Sequence, residues 1–271
     1  TMSVILRTSF FRQGRRRNLD DEGRSSSSSP LMVLAELPPP LRRQATLRFD
    51  PSTHRLREAA TAVVRKVMDA PTLEECRGRH DLTKRAHRLR CETALTEAAV
   101  GDATLLDAYD GLLRDVVLPD LERHFPASTV FLCQHPPTLR VQPPGAATCD
   151  GGPGRTHRDA DYGHRPGERN YWLPLTDYEA TQTALHVESA PDAGDFKPLA
   201  VDYGSVVAFY GALCRHRAPP NPTASTRVSL DFRIAFRIAP SRRREARSLD
   251  EEEDEPFAGP LASHYRPYSS P

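Results

Sequence analysis

The chain has 271 residues, with 37 Lys+Arg against 36 Asp+Glu and a formal net charge of +1. That balance argues against a nucleic-acid partner or an anionic membrane surface held by charge. No stretch approaches the roughly 20 apolar residues a membrane span needs, and the hydrophobic fraction of 38% is low enough to imply unfolded tails.

In chain order, residues 1–45 read as a disordered arm. They carry a basic run (Arg15, Arg16, Arg17), a serine tract (Ser25 to Ser29) and a proline run (Pro38 to Pro40). Such composition cannot bury enough apolar surface to offset ordering entropy. A plain flexible arm is the first reading. An organelle transit peptide is the second, weakened by Asp20, Asp21 and Glu22.

Residues 46–240 are expected to form one folded domain. Its first part, 53–124, reads as helical support. Leu56, Ala59, Ala60, Val63, Val64 and Val67 recur at helical spacing behind Thr53 as an expected N-cap. Leu105, Leu106, Tyr109, Leu112, Leu113 and Val116 repeat the pattern before Pro119.

From 125 to 240 the segments are short, alternating and punctuated by Pro and Gly. Expected strands are Thr129–Cys133, Thr138–Gln142, Asn170–Leu175, Thr183–Glu188, Ser205–Tyr210 and Thr226–Ala239. Together these predict an α+β domain, with a sandwich or jelly-roll core braced by N-terminal helices. Residues 241–271 read as a charged, disordered tail, with an arginine-rich start and an acidic run from Asp250 to Glu255.

The five cysteines (Cys76, Cys91, Cys133, Cys149, Cys214) are odd in number and irregularly spaced, with no CxxC. They favour neither a disulfide framework nor a zinc ribbon. A reducing, intracellular setting is expected, cytoplasmic unless the arm is a transit peptide.

The sharpest chemical feature is Thr156-His157-Arg158-Asp159. Residues i and i+2 of an extended segment share a face, so His157 and Asp159 can offer nitrogen and oxygen to one metal ion. His216 is the candidate third ligand. Two imidazoles and one carboxylate make the facial triad of non-heme Fe(II) oxygenases. A structural His–Asp hydrogen bond is the plainer alternative. Downstream, Arg227 and Ser229 share a strand face and suit a carboxylate, since a guanidinium fork fixes both distance and orientation. Asp161 is a rival carboxylate, His164 reads as a loop residue at the site's mouth, and His186 reads as a core histidine.

His157-x-Asp159, His216 and Arg227-x-Ser229 resemble the 2-oxoglutarate/Fe(II)-dependent oxygenases. Within them the chain looks most like the streptomycin biosynthesis protein family of oxygenases. The strings that carry this are LRVQPPG (139–145), HRDADYGHRPGERNYWLPLTD (157–177), YGSVVAFYG (203–211) and NPTASTRVSLDFR (221–233). Ala224 departs from the family's usual Gly, which bears on a loop near the distal histidine.

The resemblance implies a double-stranded β-helix (jelly-roll, cupin-like) core and Fe(II) held by His157, Asp159 and His216. It implies 2-oxoglutarate as cosubstrate on Arg227 and Ser229, O2 as oxidant and ascorbate as a reductant. Succinate and CO2 would be released. With Asp159 present, hydroxylation or a related oxidation of a small polar molecule is expected, since the halogenating members lack that carboxylate.

Arg140 and Asn170 are further expected cofactor contacts. Gln142, Tyr162 and Trp172 are expected to line the substrate pocket. Two other readings stand beside this one: a cupin-like metal isomerase or oxygenase needing no oxo acid, and a non-catalytic jelly-roll binding protein. Neither the primary substrate nor the oligomeric state is read from the residues.

Overall fold

The computed structural model describes residues 32–79, 85–145, 155–238 and 265–269. The basic and serine runs of the arm and the charged run of the tail lie outside the described residues. Strand β1 is Met32–Val33, followed by a 3-10 turn at Pro39–Arg42 and strand β2 at Ala45–Arg48. Helices α1 (Leu56–Val67), α2 (Arg85–Val100), α3 (Ala103–Leu112) and α4 (Leu118–Glu122) come next, α3 and α4 joined by a π-helical turn at Leu113–Val117. Then follow β3 (Val130–Gln134), β4 (Thr138–Gln142), a 3-10 turn at Asp159–Tyr162, β5 (Arg169–Pro174) and the one-turn helix α5 (Tyr178–Thr181). The last elements are β6 (His186–Val187), β7 (Lys197–Pro198), β8 (Ser205–Phe209), β9 (His216–Arg217), β10 (Arg227–Ile238) and β11 (Tyr265–Ser269).

The strands form two antiparallel sheets. The larger runs β11-β3-β10-β5-β8-β2, with β1 and β4 also paired to β10; the smaller runs β7-β6-β9. Strand β10 is the spine. Its first half pairs with β4 and its second half with β3, while β5 lies along its other edge.

Alternation along β10 sorts its side chains into two sets. Phe232 stacks on Tyr171 at 4.9 Å and meets Tyr109 of α3 edge-on at 5.1 Å. Phe236 stacks on Phe125 at 4.5 Å. That face therefore packs on the helices. The opposite face carries Arg227, Ser229, Asp231 and Arg233. Helix α1 buries Leu56, Ala59, Ala60, Val63 and Val64, an apolar stripe at helical spacing that needs a partner surface to be stable.

Several expectations require correction. Thr53 does not cap α1: its hydroxyl donates to Asp50 at 3.1 Å, and Arg55 holds the cap position without a side-chain bond. The Asp50 carboxylate, three residues upstream, holds the Thr53 hydroxyl in the turn before the helix. The disorder expected through residue 45 does not extend over 32–45. Leu37 and Leu41 are fully buried in the core, because the proline run forms a 3-10 turn that points them inward. The expected C-terminal disorder does not extend over Tyr265–Ser269, which pairs with β3. Tyr268 donates to Asp110 at 2.6 Å and Tyr265 to Glu168 at 3.0 Å.

The strand expected over Thr183–Glu188 shrinks to His186–Val187. Glu188 instead turns its buried carboxylate onto the Gly194 and Arg215 backbone N–H groups, at 2.8 and 2.7 Å, and onto the Arg215 guanidinium. Among the described residues, no helix is long and apolar enough to cross a membrane, and Cys76, Cys91, Cys133 and Cys214 form no disulfide.

Candidate metal centre

His157 and His216 are joined by an antiparallel bridge between the two backbones. Each donates its N–H to the other's carbonyl, at 3.1 and 2.9 Å. Asp159 follows at the start of the 3-10 turn rather than on a strand. Its N–H donates to the Gly211 carbonyl at 3.0 Å, which ties it to the turn after β8. The expectation of a shared strand face holds for the outcome but not for its cause. A short extended piece around His157 and a tight turn at Asp159 bring the two side chains together.

Nε2 of His157 lies 3.6 Å from Asp159 Oδ1, and Nε2 of His216 lies 3.5 Å from the same oxygen. The three ligand atoms all fall within 4.8 Å of one another. Nδ1 of His157 is 2.7 Å from the Arg155 carbonyl and Nδ1 of His216 is 3.2 Å from the Cys214 carbonyl. A carbonyl only accepts, so each Nδ1 carries the proton and each Nε2 turns its lone pair inward. That is the tautomer a metal-binding histidine needs, oriented by backbone partners. The donor set fits a divalent ion of the first transition row.

Burial by itself would raise the Asp159 carboxyl. The Arg233 guanidinium counters this, and the group is held well below the usual carboxylate range. Its second oxygen, Oδ2, accepts from Asn170 Nδ2 at 2.5 Å and from Arg233 Nε at 2.7 Å. Asp161 does not join the group. Its carboxylate accepts from the Arg158 backbone N–H at 2.9 Å and closes the 3-10 turn.

Further along the same face of β10 sits Arg227. It is 4% exposed. Its Nε donates to Gln142 Oε1 at 2.8 Å and its Nη1 to Ser229 Oγ at 3.2 Å. Its guanidinium lies 6.0 Å from the centre of the Trp172 ring. Among the described residues it has no ion-pair partner. Burial pushes this guanidinium down to about 10, and Arg140 adds to the shift against Asp231. An unpaired buried cation is costly, and a carboxylate or phosphate ligand would relieve it.

The other expected site residues separate by contact. Arg140, opposite Ser229 in the β4–β10 register, pairs with the Asp231 carboxylate. Gln142 holds Arg227 with its oxygen and donates an amide hydrogen from Nε2 to the Pro219 carbonyl at 2.6 Å. Asn170 touches Asp159 rather than Arg227. Tyr162 is 57% exposed, with its ring 5.1 Å from that of His157. Trp172 is buried, and its indole N–H has no hydrogen-bond partner among the described residues. His164 pairs with Glu168 at 2.8 Å. His186 is half-buried on β6, not a core residue.

Sequence reasoning missed Arg233 and Asp231. Continuing the alternation from Arg227 and Ser229 by two and four residues would have found both.

This chain resembles the streptomycin biosynthesis proteins in sequence. It is 39% identical over 100 residues to streptomycin biosynthesis protein StrG of Streptomyces griseus. The match covers 37% of this chain and 44% of that protein, so it spans under half the length of its curated relative. No family model matches the chain.

Among solved structures, the non-heme alpha ketoglutarate dependent carbocyclase SnoK from nogalamycin biosynthesis aligns at 13% identity and TM-score 0.40, covering 85% of this chain and 93% of its own. The ThoJ non-heme monooxygenase–nickel complex aligns at 15% identity and TM-score 0.39, covering 73% and 75%. EvdO2 of Micromonospora carbonacea var. aurantiaca, complexed with 2-oxoglutarate, aligns at 17% identity and TM-score 0.36, covering 79% and 92%.

Proposed function

We propose that this chain is a non-heme Fe(II), 2-oxoglutarate-dependent dioxygenase that oxidises a small polar molecule, hydroxylation being the expected outcome. The core is read as a double-stranded β-helix, the helices bracing one sheet and the site lying on the other face.

One observation carries the reading. Two inward-facing imidazole nitrogens and a carboxylate oxygen converge on the side of the sheet where β10 also presents the buried, ion-pair-free Arg227. A metal trio alone suits many activities. A metal trio beside an unpaired buried cation suits a ligand that reaches the metal with one end and carries a carboxylate at the other.

Each residue then has a task. His157, Asp159 and His216 would hold the ion. Bound there, Fe(II) would supply the means for O2 to oxidise 2-oxoglutarate to succinate and CO2 together with the primary substrate. Arg227 would grip the far carboxylate, and Ser229 would donate its hydroxyl hydrogen to the same group. Gln142 fixes the guanidinium plane. Tyr162 lines the entrance, on the solvent side of His157. Similarity to a protein named for streptomycin biosynthesis supports a small-molecule substrate.

The test is direct. Purified protein with Fe(II), ascorbate and O2 should bind 2-oxoglutarate and release succinate, slowly even without the primary substrate. The absence of both binding and succinate release in the wild-type protein would sink the reading. Oxygen uptake that ignores 2-oxoglutarate would favour the oxo-acid-independent alternative.

A further inference from the structure

The two oxygens of Asp159 are treated differently. Oδ1 faces the histidine nitrogens at 3.6 and 3.5 Å. Oδ2 is occupied by Asn170 at 2.5 Å and Arg233 at 2.7 Å. Arg233 is itself braced, its Nη1 donating to Gln134 Oε1 at 3.2 Å. Asn170 and Arg233 are register partners across β5 and β10, so the two donors reach the carboxylate side by side. Asn170 in turn has its place because residue 211 is Gly. A Cβ there would lie 2.6 Å from the Asn170 amide carbon.

We propose that Arg233 is a positioning residue for the metal centre, which with Asn170 occupies Oδ2 and presents Asp159 to the ion through Oδ1 alone. This rests on the metal-binding reading above. A carboxylate that chelates through both oxygens takes two coordination positions; one held by a single oxygen takes one. Two imidazole nitrogens and one carboxylate oxygen leave three of six octahedral positions open. Those positions would be left for the cosubstrates. Freed from Arg233, Oδ2 can turn to the ion and close a position the reaction requires. Lysine cannot substitute for the planar fork, because one guanidinium here donates Nε to Asp159 and Nη1 to Gln134 at once.

The experiment uses Co(II) binding to the full chain, read by affinity and by the visible absorption of the bound ion. Arg233→Met should still bind Co(II) but with an altered visible spectrum, because the carboxylate would gain a second coordinating oxygen. Because Arg233 acts through Asp159, the same substitution in an Asp159→Ala background should leave the Co(II) spectrum of that background unchanged. A purely structural ion pair would leave the Co(II) spectrum of folded Arg233→Met protein unaltered. Folded Arg233→Met protein with the wild-type spectrum, or the same spectral change in both backgrounds, overturns the proposal. If Arg233→Met does not fold, Asn170→Ala, which removes the other contact to Oδ2, is read by the same pair of backgrounds and decides it in the same way. Failure of the wild-type chain to bind Co(II) would sink the metal reading and this one together. Wild-type binding with an unaltered Arg233→Met sinks this one alone.

Discussion

His157 and His216 exchange both backbone hydrogen bonds, at 3.1 and 2.9 Å, across one antiparallel bridge. The main chain makes that contact, so it survives loss of either ring. His157→Ala and His216→Ala should therefore each keep the far-ultraviolet circular dichroism of the wild type. Each should weaken Co(II) or Ni(II) binding by at least about 10-fold, as expected when a ligand of a small donor set is lost. Isothermal titration measures the affinity. Wild-type affinity in both variants would remove the two rings from the ligand set.

Arg227 yields a prediction in two directions. Its charge is buried and has no ion pair among the described residues. Replacing an ill-compensated buried charge by a well-packed apolar chain is often neutral or stabilising. Arg227→Met should thus melt no lower than wild type in the absence of 2-oxoglutarate. The same variant should raise the apparent KM for 2-oxoglutarate by about 10- to 100-fold, the size of a lost charge-assisted contact, while metal stays bound. A clear fall in melting temperature with an unchanged KM would make Arg227 a structural residue.

These residues also show how far the sequence could be read. The helix stripe of α1 was legible because Leu56 through Val64 bury at the spacing the chain displays. Strand β4 falls on Thr138–Gln142 as the alternation predicts. The candidate ligands were legible as types, since His157, Asp159 and His216 form a donor set with few other uses. What the sequence hid was the third dimension around them. Composition marked Pro38 to Pro40 as unfolded and missed that Leu37 and Leu41 fill the core. Asn170 carries no sign in sequence that it meets Asp159. That meeting depends on Gly211 leaving room, in a turn after a different strand.

Gly211 supplies the next prediction. A Cβ at this position would come within 2.6 to 2.7 Å of the Asn170 side-chain amide, too close without displacement. Gly211→Ala should destabilise by about 1–3 kcal/mol, the usual cost of forcing extra volume into a packed site. In an Asn170→Ala background the clash partner is gone, and most of that cost should disappear. Urea denaturation of the four proteins in the cycle measures the coupling. Strict additivity would show that the amide is not what Gly211 accommodates.

Stability should also fall on mild acidification. Burial pushes the His135 imidazole below the usual histidine range, Arg266 adding to the shift and the nearby Asp110 opposing it. Burial and Arg217 do the same to His186. Both rings therefore take up protons less readily when folded than when unfolded. As pH falls through the ordinary histidine value of about 6.5, the unfolded chain binds protons that the folded chain refuses, and the equilibrium moves toward unfolding. The contribution is intact above that pH and is lost as pH drops toward the folded values. His135 Nε2 lies 3.2 Å from Asp110, which also receives the Tyr268 hydroxyl of the C-terminal strand. His135→Gln, which cannot titrate, should flatten part of the fall in melting temperature between roughly pH 7.5 and 5.5. An unchanged slope in that variant would assign the acid sensitivity elsewhere.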